Sequence, residues 1–347
     1  MKDQKFLEII EPEKIILIIA SQPLDFDCVG SSLIIKKYLE SLGKKVTVLY
    51  PRVILEQEKK FYEFLPYFDE IVAQDTREAL SQKNFDVVIF LDGPNLIQFY
   101  DSLKEGPRPD INVYDKRIHI DHHLQTPENL GTYVVRDSKA SSTAEVVISK
   151  IIPEEFIDKD IATLAYAAIV GDTGNFRWSL SPATLKIAAL LLERGVDYSQ
   201  IIDKLTSSKS RQYFEMLDYA IKHTEYDDDL GTTFLYLPYE RLQKDSIDKE
   251  KLADLKLAYE SEMARNIEGY PRGIIIREEV PGKIKISVRG NNFTNKINFP
   301  RLFEELGSNG GGHFNAAGMD IDGNFEEIKK QLIASIRKYL EQSYSLI

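Results

Sequence analysis

Short runs of consecutive apolar residues recur along the first third of the chain, separated by stretches of mixed character. Such runs are typical of strands that are buried on both faces, and they cover residues 15–20, 46–50, 86–92 and 118–121. Between the first two runs, apolar residues recur with helical spacing, and Gly43 fits the end of that helix. Strands separated by helices pair in parallel, so the pattern predicts an open α/β sheet.

The rest of the chain alternates between helical and strand-like patterns. Ser141, Ser142 and Thr143 are suitable caps for a helix. Further helices are predicted over residues 161–170, 182–193, 198–205, 207–223, 249–263 and 326–340. Strands are predicted over residues 232–237, 273–277 and 283–288. The last two are expected to be antiparallel, because Pro281-Gly282 forms a turn between them.

Acidic and imidazole side chains follow the predicted strands of the first half. Asp25 and Asp27 come just after the first strand, Asp92 ends the third, and Asp121-His122-His123 ends the fourth. The apolar helix over residues 161–170 leads into Asp172, which lies between two glycines. Ligands of open α/β sheets bind at the carboxyl ends of the strands. The pattern therefore predicts that these side chains meet at one edge of the sheet.

Each acid also has a simpler interpretation. Asp27 has the features of a helix cap, and Asp92 and Asp172 those of turn residues. Together, however, closely spaced carboxylates repel one another strongly in a low dielectric and require cations. Carboxylate and imidazole ligands suit Mn, Fe, Zn or Co. Two divalent ions that share a carboxylate, roughly 3.5–4 Å apart, are typical of phosphoester hydrolysis.

The second half carries a candidate anion-binding segment. Gly310, Gly311 and Gly312 precede His313, and consecutive glycines allow backbone N–H groups to approach an anion closely. Arg289 ends a predicted strand shortly before this segment. A guanidinium at that position can hold a phosphate or carboxylate through two hydrogen bonds.

Composition narrows the class of protein. The 347 residues are 43% hydrophobic and 29% charged, as in a globular protein with room for two domains. One cysteine and no apolar run of about 20 residues predict a cytoplasmic chain without a membrane span or signal peptide. The net charge of −11 argues against binding long duplex nucleic acid.

These motifs resemble those of the DHH–DHHA1 phosphoesterases, a family that includes RecJ-type nucleases, enzymes that degrade very short RNAs and dephosphorylate 3′-phosphoadenosine 5′-phosphate (pAp), and cyclic-dinucleotide phosphodiesterases. The resemblance rests on Asp25-x-Asp27-x-x-Gly30-Ser31, Asp92, Asp121-His122-His123, Gly171-Asp172-Thr173-Gly174 and the segment 310–318. It covers nearly the whole chain. The last motif argues against family II inorganic pyrophosphatases.

The resemblance implies a parallel-sheet DHH domain over residues 1–205, a linker helix over 206–225 and a smaller α/β DHHA1 domain over 226–347. It implies two Mn²⁺ ions, one held by Asp25, the other by Asp27, His122 and Asp172, with Asp92 bridging them. His123 would lie beside the scissile phosphate, with Asp121 in support. The substrate-binding residues would be Arg289, Gly310, Gly311, Gly312 and His313. A homodimer is compatible with this resemblance.

One position departs from the family pattern. The first motif normally opens with a histidine that binds the first metal, and Ser21 occupies that position here. A serine hydroxyl is a poor Mn²⁺ ligand, so the first metal site is expected to be weakened. His119 is an alternative source of an imidazole, because it shares a strand face with Asp121 and His123.

Two functions of different classes follow. The first is a Mn²⁺-dependent phosphodiesterase or phosphatase that acts on short single-stranded oligonucleotides, such as nanoRNA and dinucleotides, or on nucleotides such as pAp. The second is a nucleotide-binding protein on the same scaffold with weak or no catalysis. A cyclic-dinucleotide phosphodiesterase also stays open, because the sequence does not separate these substrates.

Overall fold

The protein forms two compact units, residues 1–208 and residues 209–347. The structure is a computed structural model that describes residues 2–82, 84–101, 104–124, 128–206, 209–291, 294–307 and 311–344. Among these residues, no helix is both long enough and apolar enough to cross a membrane. The predicted α/β class, with a parallel sheet in the N-terminal part and a second α/β part after it, is confirmed.

The first unit is built around six parallel strands in the order β3-β2-β1-β4-β5-β6. They are β1 (Ile15–Ala20), β2 (Lys45–Tyr50), β3 (Ile71–Ala73), β4 (Val87–Leu91), β5 (Arg117–Asp121) and β6 (Tyr133–Arg136). The four predicted strands are all present. Strands β3 and β6 have only three and four residues and are partly exposed, so they lack the long apolar run that identifies the others.

Helices cover both faces of this sheet, as expected for parallel strands that are buried on both sides. They are α1 (Gln4–Ile10), α2 (Phe26–Ser41), α3 (Glu56–Tyr62), α4 (Thr76–Ser81), α5 (Thr143–Lys150), α6 (Lys159–Asp172), α7 (Pro182–Glu193) and α8 (Tyr198–Thr206). Helix α2 ends just before Gly43, whose φ of +76° suits glycine. Helices α2 and α6 pack closely at Gly30, where a Cβ atom would lie 2.6 Å from the carbonyl oxygen of Leu164.

The second unit contains a mixed sheet in the order β11-β12-β10-β9-β8-β7, in which only the β8–β9 pair is parallel. Its strands are β7 (Thr224–Asp227), β8 (Thr232–Leu237), β9 (Arg272–Val280), β10 (Lys283–Gly290), β11 (Gly311–His313) and β12 (Ala316–Asp322). Its helices are α9 (Arg211–His223), α10 (Tyr239–Lys244), α11 (Lys249–Ala258), α12 (Phe299–Glu305) and α13 (Phe325–Tyr344). The predicted antiparallel pair is β9 and β10.

Two predicted helices of this unit differ in detail from the structure. The helix predicted over residues 249–263 ends as an α-helix at Ala258 and continues as a π-helical turn, Tyr259–Met263. The helix predicted over residues 207–223 is α9, which packs against α11 inside the second unit. Its role as a linker and the domain boundaries at 205 and 226 stay predictions.

Candidate metal centre

The candidate site begins where β1 passes into α2. Asp25 is the N-cap of α2, and one of its carboxylate oxygens accepts a hydrogen bond of 2.8 Å from the backbone N–H of Cys28. The simpler interpretation of Asp27 as the cap is therefore wrong. Asp27 lies in the first turn of the helix and is 1% exposed.

The N-terminus of α5 holds the Asp27 carboxylate. Its two oxygens accept hydrogen bonds from the backbone N–H groups of Thr143, at 2.6 Å, and Ala144, at 2.8 Å. The Thr143 hydroxyl donates a hydrogen bond of 2.8 Å to Asp92. These contacts fix two acids from different strand ends on one helix terminus. The sequence predicts Thr143 only as a possible helix cap and has no local pattern that indicates this anchoring role.

Asp92 follows β4 in a left-handed backbone conformation, with a φ of +66°. Such a conformation is uncommon for a residue with a side chain, although aspartate tolerates it better than most. The residue is 4% exposed, and Gly93 follows it. A predicted turn residue is therefore also a buried acid at the carboxyl end of the central strands.

His122 lies at the centre of the acids. Its Nε2 atom is 3.3 Å from a carboxylate oxygen of Asp172, 3.8 Å from Asp92 and 4.0 Å from Asp27. The ligand atoms of Asp27, His122 and Asp172 lie within 4.8 Å of one another, as do those of Asp92, His122 and His123. Such spacing suits side chains that share a divalent cation. The structure thus brings these residues together, and their roles as ligands stay predictions.

Asp121 and His123 form a second pair beside this group. Asp121 is fully buried, and its Oδ1 atom accepts hydrogen bonds from the backbone N–H of His123, at 3.2 Å, and from its Nδ1, at 2.8 Å. The Nδ1 atom of His123 is also 4.0 Å from Asp92. Asp121 therefore orients His123, in keeping with its predicted supporting role. The role of His123 in catalysis stays a prediction.

Asp172 ends α6, where the backbone turns sharply. Gly174, Asn175 and Phe176 all have positive φ angles, between +53° and +62°. The indole N–H of Trp178 donates a hydrogen bond of 2.7 Å to the carbonyl oxygen of Asp172 and lies against Gly174, where a Cβ atom would be 2.1 Å from the ring. Glycine is required there, because the tryptophan ring occupies the space of a side chain.

In the absence of a cation, the surroundings of these acids disfavour the ionised form of their carboxyl groups. Burial, and then repulsion by Asp27, raises the pKa of Asp25 to about 6. Burial also raises the pKa of Asp27, and burial with repulsion from the neighbouring aspartates raises the pKa values of Asp92 and Asp172 well above their usual range. Burial lowers the pKa of His122 to about 4, so this imidazole is neutral at pH 7 and suited to bind a metal. The donor set fits Mn²⁺.

Ser21 and His119 are the two positions that bear on the predicted first metal site. Ser21 is 3% exposed and lies beside Gly93, with 3.0 Å between its Cβ atom and a Cβ built at Gly93. Both ring nitrogens of His119 are engaged, Nε2 with the carbonyl oxygen of Gly93 at 2.9 Å and Nδ1 with Arg136 at 3.2 Å. His119 therefore does not replace the missing histidine. Asp25 belongs to neither group of clustered ligand atoms among the described residues.

The predicted substrate-binding residues lie in the second unit. Arg289 forms an ion pair of 2.7 Å with Glu260, which lies in the π-helical turn. Gly311 and Gly312 belong to strand β11, paired with Gly318 and Ala317 of β12, rather than to an irregular loop. Gly310 and the side chain of His313 lie outside the described residues. Contacts between any of these residues and a substrate stay predictions.

Comparison with known proteins agrees with this arrangement. Residues 15–169 match the DHH family, N-terminal domain, and residues 246–342 match the DHHA1 domain. Together the two matches cover more than two thirds of the chain, and the first contains every clustered side chain except Asp172.

Several known proteins are similar. A probable bifunctional oligoribonuclease and PAP phosphatase NrnA of Streptococcus mutans serotype c is 27% identical over 53% of the chain and 54% of its own length. A membrane protein–large ribosomal subunit bL9 fusion protein of Onion yellows phytoplasma is 23% identical over 92% of the chain. The chain spans 36% of the length of the phytoplasma protein and about half of the length of the S. mutans protein.

Solved structures share the fold. A crystal structure of an exopolyphosphatase-related protein from Bacteroides fragilis has a TM-score of 0.77 and 26% identity, over 97% of this chain and 95% of that one. RecJ from Thermus thermophilus, solved in complex with Mn²⁺, has a TM-score of 0.52 and 15% identity, over 96% of this chain and 54% of that one. With the two domain matches, these findings show that the chain belongs to the DHH–DHHA1 phosphoesterase family, whose members are typically metal-dependent hydrolases, and that it is similar to RecJ and NrnA.

Proposed function

We propose that the protein is a Mn²⁺-dependent phosphoesterase that hydrolyses short single-stranded oligonucleotides, such as nanoRNA and dinucleotides, or nucleotides such as pAp. The observation that carries this proposal is the convergence of Asp27 and Asp172 within 3.3–4.0 Å of the His122 Nε2 atom. Burial raises the pKa values of both carboxylates, and a cation beside the neutral His122 would stabilise their ionised forms.

The clustered side chains have different proposed roles in metal binding. Asp27, His122 and Asp172 would hold one Mn²⁺, and Asp92 would bridge it to a second ion beside Asp25. When bound, such a pair supplies Lewis acidity that activates water and neutralises charge on the phosphoryl oxygens. The backbone N–H groups of α5 and the Thr143 hydroxyl keep the carboxylates in place.

His123 is the group proposed to contact the reacting phosphate. Asp121 accepts two hydrogen bonds from it and so fixes its ring next to Asp92. A fixed imidazole loses little orientational freedom when a substrate binds, which favours the transition state. In the second unit, Arg289 is proposed to hold another phosphate of the substrate, in exchange for its ion pair with Glu260.

The short-nucleotide substrate class is supported by the S. mutans relative, whose name describes an oligoribonuclease and PAP phosphatase. The net charge of −11 also disfavours long polyanions. The second candidate, a nucleotide-binding protein with weak catalysis, is favoured by Ser21, because a hydroxyl there leaves the first metal with fewer strong ligands.

The test is Mn²⁺-dependent turnover of a panel of a labelled dinucleotide, pAp, a cyclic dinucleotide and inorganic polyphosphate. We expect mononucleotide release from the dinucleotide or phosphate release from pAp. Asp172→Asn should lower the rate at least about 100-fold. It removes a proposed metal ligand, and even the loss of a residue that only orients a ligand costs about 10–100-fold. Asp203→Asn, which changes an acid on α8 away from the cluster, should leave it unchanged. Nucleotide binding without turnover at millimolar Mn²⁺ would instead establish the binding protein.

A further inference from the structure

Behind the candidate metal centre lies a buried polar network that the proposed chemistry does not use. Arg136 ends β6 and is the parallel-strand partner of Asp121 on β5. Its guanidinium lies 3.2 Å from the Nδ1 atom of His119 and 3.6 Å from the Oδ2 atom of Asp121. One arginine on a short edge strand therefore contacts two side chains of the neighbouring strand.

The partners of His119 determine its tautomer. A guanidinium has only donors, so Nδ1 of His119 must accept the hydrogen bond from Arg136. The hydrogen of the neutral ring is then on Nε2, which donates a hydrogen bond of 2.9 Å to the carbonyl oxygen of Gly93. The ring is 1% exposed, so water does not compete for either contact.

The Gly93 carbonyl belongs to the turn that carries Asp92. Asp92 has a φ of +66°, and a non-glycine residue keeps such an angle only when surrounding contacts hold it. The hydrogen bond from His119 is such a contact, and it acts one residue after the acid that is proposed to bridge the metals. Through His119, Arg136 is thus connected to the orientation of Asp92.

The second branch of the network runs through Asp121. Its Oδ1 atom holds His123, whereas its Oδ2 atom and the Nε atom of Arg136 are both buried without a hydrogen-bond partner among the described residues. These two atoms face each other across 3.6 Å. Arg136 therefore supplies the positive charge that a fully buried Asp121 carboxylate requires.

We propose that His119 and Arg136 are positioning residues of the metal centre: they orient Asp92 through the Gly93 carbonyl and His123 through Asp121. The catalytic readout of this role rests on the proposed function, but its effect on Mn²⁺ binding does not. An ion pair between Arg136 and Asp121 alone would satisfy both charges. His119 contacts Arg136 through Nδ1 and donates a hydrogen bond through Nε2 to the Gly93 carbonyl oxygen. It therefore links the Asp121 branch to the turn that carries Asp92.

The experiment compares His119→Phe, His119→Gln and Arg136→Gln with the wild-type chain. Phenylalanine keeps the ring without its hydrogen bonds, whereas the glutamine amide can both donate and accept. The matched control is Arg117→Gln, which changes another buried arginine, on β5, whose side chain donates to the backbone oxygens of Leu130 and Tyr114. Mn²⁺ affinity is measured by calorimetry, with the free energy of unfolding in EDTA and, where turnover exists, kcat and KM.

We expect His119→Phe and Arg136→Gln to weaken Mn²⁺ binding about 10–100-fold, which is the usual effect of removing a residue that orients a metal ligand. His119→Gln should retain most of the affinity, and Arg117→Gln should lower stability without changing affinity. With a substrate, kcat should fall more than KM changes. The fluorescence of Trp178, the only tryptophan, provides an independent titration, because its indole N–H donates a hydrogen bond to the backbone carbonyl oxygen of Asp172.

Wild-type affinity in His119→Phe and Arg136→Gln would overturn the proposal, as would equal losses in His119→Phe and His119→Gln. If His119→Phe does not fold, Arg136→Gln against Arg117→Gln decides. The two proposals fail separately. A wild-type chain that binds Mn²⁺ but hydrolyses nothing contradicts only the proposed function, and an active enzyme whose variants keep their Mn²⁺ affinity contradicts only the positioning role. A wild-type chain that binds no Mn²⁺ contradicts both.

Discussion

At the scale of single residues, Asp25 is both a helix cap and an acid that the neighbouring Asp27 repels. Its pKa is about 6 in the folded protein, against about 3.9 in an unfolded chain. The ionised carboxylate therefore costs stability above pH 6, and this cost disappears as the pH falls below about 4. Asparagine keeps an oxygen for the cap and removes the charge.

We predict that Asp25→Asn stabilises the metal-free protein at pH 8 by about 1–3 kcal/mol, and that this gain shrinks between about pH 6 and 4. Urea denaturation in EDTA at several pH values measures it. The control is Asp75→Asn at the N-cap of α4, where hydrogen bonds from the Arg77 side chain lower the pKa of Asp75 to about 2. That variant should lose stability at pH 7 and approach wild type near pH 2. A gain of equal size at all pH values in Asp25→Asn would contradict the charge argument.

Ser21 gives the second prediction at this scale. It follows β1 and lies beside the Asp92–Gly93 turn, so an imidazole at this position would add a ligand next to the proposed first metal. Ser21→His should raise activity at limiting Mn²⁺ and shift the metal titration to lower concentration. Ser21→Ala should leave the titration unchanged, because the hydroxyl contributes little. An unchanged titration in Ser21→His would show that position 21 does not face the metal.

At the scale of elements, the crossing of α2 and α6 determines how close Asp27 and Asp172 can come. Asp27 lies in the first turn of α2, and Asp172 is the last residue of α6. Gly30 allows the close approach, because a Cβ atom there would lie 2.6 Å from a backbone oxygen of α6. A backbone oxygen cannot move aside as a flexible side chain can, so the helices would have to separate.

Gly30→Ala is therefore expected to destabilise the protein by about 1–3 kcal/mol, although alanine is the better helix former. It should also weaken Mn²⁺ binding, which calorimetry measures. Gly318→Ala is the control, because its Cβ atom would lie at an ordinary 3.7 Å from the nearest atom of the second unit. If Gly30→Ala bound Mn²⁺ as tightly as wild type, the helix crossing would not control the site.

The elements also show what the sequence could predict. Strands β1, β2, β4 and β5 are buried over most or all of their length, and that burial produces the continuous apolar runs that identify them. Strand β6 is a short, partly exposed edge strand, so no apolar run predicts it or the position of Arg136 opposite Asp121. Local patterns report burial along one segment and not which segments become neighbours.

At the scale of the whole molecule, the acids and imidazoles of the candidate site could be predicted from their places at strand ends and, for Asp172, at the end of an apolar helix. The contacts that hold them could not. The hydrogen bond from the backbone N–H of Thr143 to the Asp27 carboxylate joins residues more than one hundred positions apart. The left-handed backbone conformation of Asp92 has no sequence marker beyond the glycine that follows it. Both depend on tertiary packing, which a single sequence does not encode in any local spacing.

The order of the proposed ligands along the chain has a consequence for biosynthesis. Asp25, Asp92 and His122 leave the ribosome well before Asp172, which ends α6 at a later point of the first unit. Domains fold largely as units during synthesis, at about 5–20 residues per second. A nascent chain would thus lack part of the proposed ligand set until Asp172 has emerged and α6 has packed on α2. Capture of the cation would then be a late event, which favours chains that have completed this unit over those that have not.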